Sequence, residues 1–409
     1  MSHAPEVAVI GAGPAGLVTA LALARLGVSV AIVSPPYDAA RAATDRRTTA
    51  LIGPSVDLLE NLGVWRYCAA GAAALSAVRI ADDREAIVRA PEVVFDAREL
   101  GLESFGANIP NPMLLAALNT AADGSAGLAR VTTSAVTSIE PGNSSVRLTL
   151  TEGGSVTAKL AVAADGRKSI APAAAGIAVR AWDYHQAAIV TSFGHTRPHS
   201  GTVNELHRRA GPLTTVPLPG SCSSLVWAEE PQEAHRIANL ADDAFADLLE
   251  ARLHGVLGTI HSLGPRLLYP LSGSRAERMA ARRIALVGEA AHVIPPIGAQ
   301  GLNLGLRDAA ALAECVAEAQ SLGQDIGGAE ALGAYQNARG GDVAARSAAI
   351  DLLNRSLLTD FLPVDLLRGA AVHALINSSA LRRLLMHGGL SAAGTLPRLM
   401  RPNASPADP

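Results

Sequence analysis

The chain has 409 residues, 49% apolar and 17% charged, with a formal net charge of −3. That length holds two or three cores, and the charge gives no electrostatic case for nucleic acid. Cys68, Cys222 and Cys315 are too few and too scattered for a disulfide framework, no Cys/His cluster has zinc spacing, and no apolar run reaches the ~18 residues of a membrane span.

In chain order, Glu6–Ile10 is a short β-branched run that predicts a strand from the outset, and the N-terminus does not read as a signal peptide. Gly11-Ala12-Gly13-Pro14-Ala15-Gly16 follows. Leu17–Leu26 is apolar and alanine-rich, predicting a helix closed by Gly27, and Val28–Val33 predicts a second strand. In this strand–turn–helix–strand setting the glycines acquire meaning. Gly11 makes the tight turn, Gly13 lets backbone approach a pyrophosphate, and Gly16 lets helix and strand pack closely. Ser34 stands where an acidic residue would bond ribose hydroxyls, so only a neutral hydrogen bond is on offer there.

Further along, Val78–Val94 and Ala187–Trp227 alternate like strands, with turns at Asp82-Asp83 and Pro219-Gly220, and predict a mostly antiparallel sheet. Leu160–Ala164 predicts a strand ending at Asp165-Gly166. His195 and His199 flank Arg197 and Pro198 and read as surface histidines in a loop, and residues 240–262 read as a helix against the sheet. Ile284–Val287 predicts a buried strand, followed by a small-residue turn and a Pro/Gly loop. That loop enters a helix with Arg307 and Asp308 in its early turns, an arrangement that aims backbone N–H groups at a ligand. Pro363–His387 has helical spacing of leucines among Arg368, Arg382 and Arg383. Its apolar face either packs on its own domain or docks a membrane or partner. Residues 402–409 read as a disordered tail.

Taken together, the glycine turn, the Asp165-Gly166 corner and the Gly288–Asn303 loop resemble, in their order, the flavoprotein aromatic hydroxylases of the para-hydroxybenzoate hydroxylase fold. The likeness is strongest to the branch that hydroxylates ubiquinone precursors, and it spans about residues 5–390. It implies an α/β fold. A discontinuous Rossmann-like FAD-binding domain (1–75, 98–180 and 278–345) would carry an inserted, mostly antiparallel substrate domain (76–97 and 181–277), with C-terminal helices over 346–401. It implies FAD as cofactor and NAD(P)H as co-substrate. NAD(P)H would reduce FAD, O₂ would react with the reduced flavin, and an electron-rich ring would be hydroxylated. The enzyme would be cytoplasmic, at the periphery of the inner membrane, with the C-terminal helices meeting membrane or pathway proteins.

Carried over residue by residue, Gly11, Gly13 and Gly16 match the FAD pyrophosphate turn, and Arg47 matches the arginine at the FAD phosphates. Asn111 matches an amide that reaches the cofactor, and Asp165 and Gly166 match a motif that serves both FAD and NAD(P)H. Gly288 and Glu289 match a Gly-Asp pair on the ribitol. Pro295–Asn303, with Pro296, Gly298, Gly301, Leu302 and Asn303, matches the loop along the isoalloxazine edge. Tyr184, Gln186, Glu205, Gly211-Pro212 and Ser224–Trp227 look like the substrate-domain strands. Ser34, Glu289 in place of aspartate, and Pro172 in place of a common arginine depart from the pattern. No catalytic residue is assigned; Glu205, His207 and His185 are candidate bases by chemistry alone. A prenylated phenol is the leading substrate. A small soluble phenol, or a scaffold of this fold that holds flavin weakly, stays open.

Overall fold

The computed structural model describes residues 4–84, 91–357, 373–390 and 396–402. The strand Val7–Ile10 is buried at every position, as its unbroken apolar sequence demands in the middle of a parallel sheet. Six strands lie in the order Ala280–Ala281, Ile284–Leu286, Leu160–Ala163, Val7–Ile10, Val30–Ser34 and Leu128–Thr132. The first joint is antiparallel and the other four are parallel. Chain order therefore reverses across Val7–Ile10, and the crevice beyond the C-terminal end of such a strand is where open α/β sheets bind ligands. Helix Pro14–Arg25 begins three residues before the expected Leu17, because Pro14 at its start has a preset φ and no N–H to lose.

The second sheet has nine strands. Along its main path lie His292–Val293, Leu267–Ala276, Val179–His195, Cys222–Glu229, Gly211–Leu218, Thr202–Arg208, Ala77–Asp82 and Val93–Asp96, with Ile260–His261 beside Val179–His195. Its pairings are antiparallel except that of Thr202–Arg208 with Ala77–Asp82. Strand alternation divides its faces. Ile189, Phe193, Leu206, Leu213, Leu225 and Trp227 pack in one core with Ala234, Ile237, Phe245 and Leu249 of helices Pro231–Ala238 and Asp242–Arg252. The intervening Ala188, Val190, Val203, Glu205, Thr214, Val216, Ser224 and Val226 line a cavity.

The helix expected over 240–262 is shorter than its apolar pattern suggests. It ends at Arg252, where His254, Gly255 and Gly258 take positive φ and turn the chain back, so that Ile260–His261 joins the sheet. A small sheet of Thr48–Ile52, Gly106–Pro110 and Ala73–Ala74 stands beside the cavity.

Helix Ala329–Leu357 runs unbroken through the boundary expected at 345. Of the expected 363–387 segment, residues 363–372 lie outside the described residues; Ser379–Leu390 is helical. The chain then returns to the parallel-sheet core. Leu399 and Met400 are buried there, and Asn61 Nδ2 donates to the carbonyls of Leu399 and Arg401, each at 2.9 Å. Residues 403–409 of the expected tail also lie outside the described residues. Among the described residues no helix is long and apolar enough to cross a membrane.

Candidate functional site

A cavity of about 1280 Å³ separates the C-terminal ends of the parallel strands from the open face of the nine-stranded sheet. The three glycines of the first turn are required for different reasons. A Cβ on Gly11, whose φ is +100°, would sit 2.6 Å from the Ala164 carbonyl, and one on Gly16 would sit 2.1 Å from the Gly11 oxygen. A Cβ on Gly13 would meet nothing within 4 Å. Gly13 therefore leaves space on the cavity side, whereas Gly16 lies behind the wall and only permits close packing. No side chain caps helix Pro14–Arg25 at Gly13. Its unsatisfied N–H groups and positive dipole end are thus available to an anion.

Just before strand Thr48–Ile52 of the neighbouring small sheet, Asp45 organises two of the expected residues. Its Oδ1 accepts from Arg47 Nε at 2.9 Å and its Oδ2 from Arg47 Nη2 at 2.8 Å; Oδ2 also accepts from Asn111 Nδ2 at 3.2 Å. Thr49 Oγ1 donates to Asn111 Oδ1 at 2.7 Å. The Arg47 guanidinium lies 5.4 Å from the centre of the Tyr269 ring. Sequence reasoning singled out neither Asp45 nor Tyr269. The alternation Leu267-x-Tyr269-x-Leu271 was the available signal for the second.

Opposite, Asp165 reaches the cavity solvent but is ringed by protein atoms. That crowding lifts its carboxyl above the ordinary value against a hydrogen bond with Ser169. Gly166 has φ +86°. Arg167 Nη2 donates to Glu289 Oε1 at 3.1 Å, with both side chains about half exposed. The longer glutamate is thus tethered to the arginine beside the Asp-Gly corner. Pro172, the other departure, lies buried in the first turn of helix Ala171–Ala175, and Ser34 Oγ donates to the Pro35 carbonyl at 2.9 Å.

Gly288, at φ +60°, is held from behind: its N–H donates to Asp308 Oδ2 at 3.1 Å. Asp308 also contacts His292 Nε2 at 2.6 Å and Arg339 Nε at 2.8 Å, and Arg339 and Arg307 both donate to Asp342 Oδ2. Burial pushes the Asp308 carboxyl up, but the opposed charges of His292 and Arg339 prevail and hold it below the ordinary value. This ion network was not anticipated beyond Arg307 and Asp308 themselves.

Pro296, Gly298, Gly301 and Leu302 line the cavity along the loop that enters helix Gln300–Ser321. Gly298 and Ala299 have positive φ, and a Cβ on Gly298 or Gly301 would meet nothing within 4 Å. Asn303 does not line the cavity. It donates to the carbonyls of Ala50 at 2.8 Å and Ala299 at 2.6 Å, and accepts from Ile52 N–H at 3.1 Å. Its amide thus ties the loop to the small sheet.

Of the candidate bases, Glu205 lines the cavity, and its Oε1 lies 2.7 Å from His207 Nε2. His185 sits on a strand irregularity with its side chain almost wholly exposed, beside Asp183. Tyr184 and Gln186 face the long C-terminal helix instead: Tyr184 Oη donates to Asp351, and Gln186 Oε1 accepts from Asn354. His195 is a correction. It ends strand Val179–His195, is buried, and bonds Ser223 Oγ and the Arg197 carbonyl, because the strand continues up to the turn that Pro198 signals. His199 is half-buried against it, with ring centres 5.6 Å apart.

An uncapped helix at a glycine turn, faced across a large cavity by a second sheet, defines a dinucleotide-binding protein with room for an organic substrate. The sequence profile described as FAD binding domain matches residues 4–345. Ubiquinone hydroxylase UbiL of Rhodospirillum rubrum is 34% identical over 401 residues, covering 97% of this chain and 92% of that protein. The 3-demethoxyubiquinol 3-hydroxylase of Escherichia coli K12 is 29% identical, covering 94% and 98%. The crystal structure of p-nitrophenol 4-monooxygenase PnpA from Pseudomonas putida DLL-E4 shares the fold, with a TM-score of 0.76 at 18% identity over 97% of this chain and 100% of that one. The chain belongs to the FAD-dependent ubiquinone hydroxylases, within the flavoprotein monooxygenases. Its cofactor is FAD and its co-substrate NAD(P)H. The residues present fit FAD: the space at Gly13, Gly298 and Gly301 is what a closely applied flat ligand needs, and the uncapped helix suits its pyrophosphate.

Proposed function

We propose that this enzyme hydroxylates the aromatic ring of a polyprenylated ubiquinone precursor, consuming NAD(P)H and O₂. One observation carries the prenylated substrate. Val78 and Phe105 line the cavity and also pack against an apolar cluster of Val93, Phe95 and Met386, with Leu375 and Ile376 beside them. A small polar phenol has no use for so apolar a wall. A prenyl chain gains roughly 0.8 kcal/mol per buried CH₂ along it.

Bound FAD supplies electron transfer and oxygen activation. The chain's own residues do the placing. Gly11, Gly13 and the helix start would receive the pyrophosphate, with Arg47 and Asn111 beside it, while Asp165, Gly166, Gly288 and Glu289 would hold the ribityl side. The Pro295–Gly301 loop would lie along the ring system and exclude water there. Gly16 and Asn303 act from behind, fixing the turn and the loop.

The C-terminal helix is the surface we assign to the membrane. Leu381, Leu384 and Leu385 are exposed on Ser379–Leu390, Arg383 lies beside them, and Met386 of the same helix packs into the apolar cluster. Arginine beside exposed leucines suits an anionic lipid surface, from which a prenylated ring could enter without crossing water. The localisation we propose with it is cytoplasmic, at the inner membrane's periphery.

Quinone profiling of a deletion strain tests the activity: an under-hydroxylated prenylphenol should accumulate, and unchanged quinone content would refute it. Co-sedimentation with anionic vesicles tests the surface; L384E/L385E should abolish binding, and equal sedimentation would refute the assignment.

A further inference from the structure

We infer that Glu205, held by His207, is the group that accepts the substrate's phenolic hydroxyl, orients the ring and takes its proton during hydroxylation. This rests on the proposed reaction only in taking a phenol as the substrate class. Around Glu205 the wall formed by the nine-stranded sheet is mostly apolar, with Ala188, Val190, Val203, Val216 and Val226; Thr214, Ser224, Tyr269 and Ser272 are its other polar side chains. A carboxylate in such a wall is costly unless hydrogen-bonded. Glu205 is 7% exposed, and its Oε1 meets His207 Nε2 at 2.7 Å.

The other ionisable groups around the cavity are placed differently. Arg47 is paired with Asp45 and stands over Tyr269; Arg167 is paired with Glu289; Asp165 and Lys168 belong to the corner beside the parallel sheet. Among the described residues, Glu205 is the carboxylate that projects from the strands facing the loop across the cavity; the other ionisable group there is the Tyr269 phenol, beneath Arg47. Arg208 points to the opposite face, onto Glu229 and the Trp227 ring, and Arg84 is bound to Asp82, the strand neighbour of His207. Among the described residues, His207 is the basic side chain bonded to this carboxylate. With Glu205 ionised, His207 donates its Nε2–H to Oε1, leaving Oε2 for the substrate.

The step balances as follows. The phenolic O–H breaks and a Glu205 O–H forms. The released electron pair makes the ring C=O as ring electrons form the new C–O bond to one oxygen atom drawn from O₂; the O–O bond breaks and the second oxygen leaves as water. Loss of the hydrogen from the attacked carbon as a proton to water, its bonding pair returning to the ring, then restores aromaticity, with the phenol oxygen reprotonated from Glu205. Overall, phenol, O₂, NAD(P)H and a proton give dihydroxyarene, NAD(P)⁺ and water. Glu205 never has to ionise the phenol in the ground state; it receives the proton as positive charge develops on the ring.

The test uses the FAD-loaded enzyme with 2-geranylphenol and its O-methyl ether, each titrated by the change in flavin absorbance. The wild type should prefer the phenol by about tenfold, the difference expected of a charge-assisted hydrogen bond. E205Q should bind both ligands with that preference largely lost, and its hydroxylation rate should fall by roughly 10²-fold or more while NAD(P)H oxidation continues. E205D should retain the preference, and H207Q should weaken it. An unchanged preference in E205Q, no preference or no binding in the wild type, or loss of both ligands in E205Q and E205D alike would each overturn the inference. Unchanged quinone content in the deletion strain would instead remove the ubiquinone reading and leave this result intact.

Discussion

Asp308 Oδ2 lies 2.6 Å from His292 Nε2, with both side chains essentially excluded from solvent, and the same oxygen accepts the Gly288 N–H at 3.1 Å. The turn expected to meet the ribityl chain is therefore fixed by a buried carboxylate that never reaches the cavity. Replacing Asp308 by alanine leaves His292 without its counter-charge and Arg339 with Asp342 alone. Removing one partner of a buried pair costs about 3–5 kcal/mol. Denaturant unfolding should show that loss, and FAD titration should show weaker retention. D308N, which keeps the shape, should recover part of both.

The same network sets a direction for pH. The carboxyls of Asp308 and Asp342 are held below the ordinary aspartate value of 3.8, burial being outweighed by His292 and Arg339 for the first and by Arg339 and Arg307 for the second. A group with a depressed folded-state value binds its proton more readily when unfolded. Its stabilisation is complete above about pH 4 and is lost as pH falls toward the folded value. Stability measured from neutral pH downward should stay level with respect to these groups and then drop, and D308N should flatten that acid limb. A drop of equal steepness in D308N would count against the assignment.

Gly13 and Gly16 separate binding from folding. Gly13→Val introduces a side chain into open space, so the melting temperature without FAD should barely change while FAD binding is lost. Gly16→Val forces a Cβ to within 2.1 Å of backbone oxygen and should lower the melting temperature itself. Calorimetry with and without FAD distinguishes the two.

The Arg167–Glu289 pair is half exposed at both ends, and such pairs are worth about 0–1 kcal/mol. E289Q should accordingly leave unfolding free energy nearly unchanged. If Glu289 meets the ribitol hydroxyls, as its place beside Gly288 suggests, FAD affinity should fall by roughly tenfold, the scale of one charge-assisted bond. Fluorescence titration of free flavin would measure it.

Along the cofactor loop, Gly301 offers a cleaner probe than Gly298, whose φ of +63° would strain any replacement. Gly301→Val should leave NAD(P)H oxidation active but divert it to peroxide, with less hydroxylated product per NAD(P)H. Unchanged coupling would mean the loop does not shield the ring system.

What was legible in the sequence was local. Val7–Ile10, the glycine turn, Leu160–Ala163 and the Ile284–Leu286 strand are contiguous patterns whose physics is complete within a few residues. Residues 240–262 misled because the positive-φ turn at His254 and Gly255 leaves the apolar spacing intact while breaking the helix. His195 misled because Pro198 marks the end of a strand as well as a loop. The partners of Asp308 were hidden for another reason. His292 and Arg339 come from separate elements, and only the Arg339-x-x-Asp342 spacing hinted that a charged stripe could turn inward. Gly16 reads in the sequence as the glycine that lets helix and strand pack closely, and its contact with the Gly11 oxygen agrees; Asn303, read with the loop along the ring system, bonds Ala50, Ile52 and Ala299.

The parallel sheet waits for strand Ile284–Leu286, and its core is closed by Leu399 and Met400 through Asn61. A nascent chain thus exposes the apolar flank of its first motif for most of its time on the ribosome. The nucleotide half cannot be expected to mature as an autonomous fragment, and clipping the final dozen or so residues should loosen helices Gly53–Asn61 and Gln300–Ser321, against which Arg398–Met400 packs.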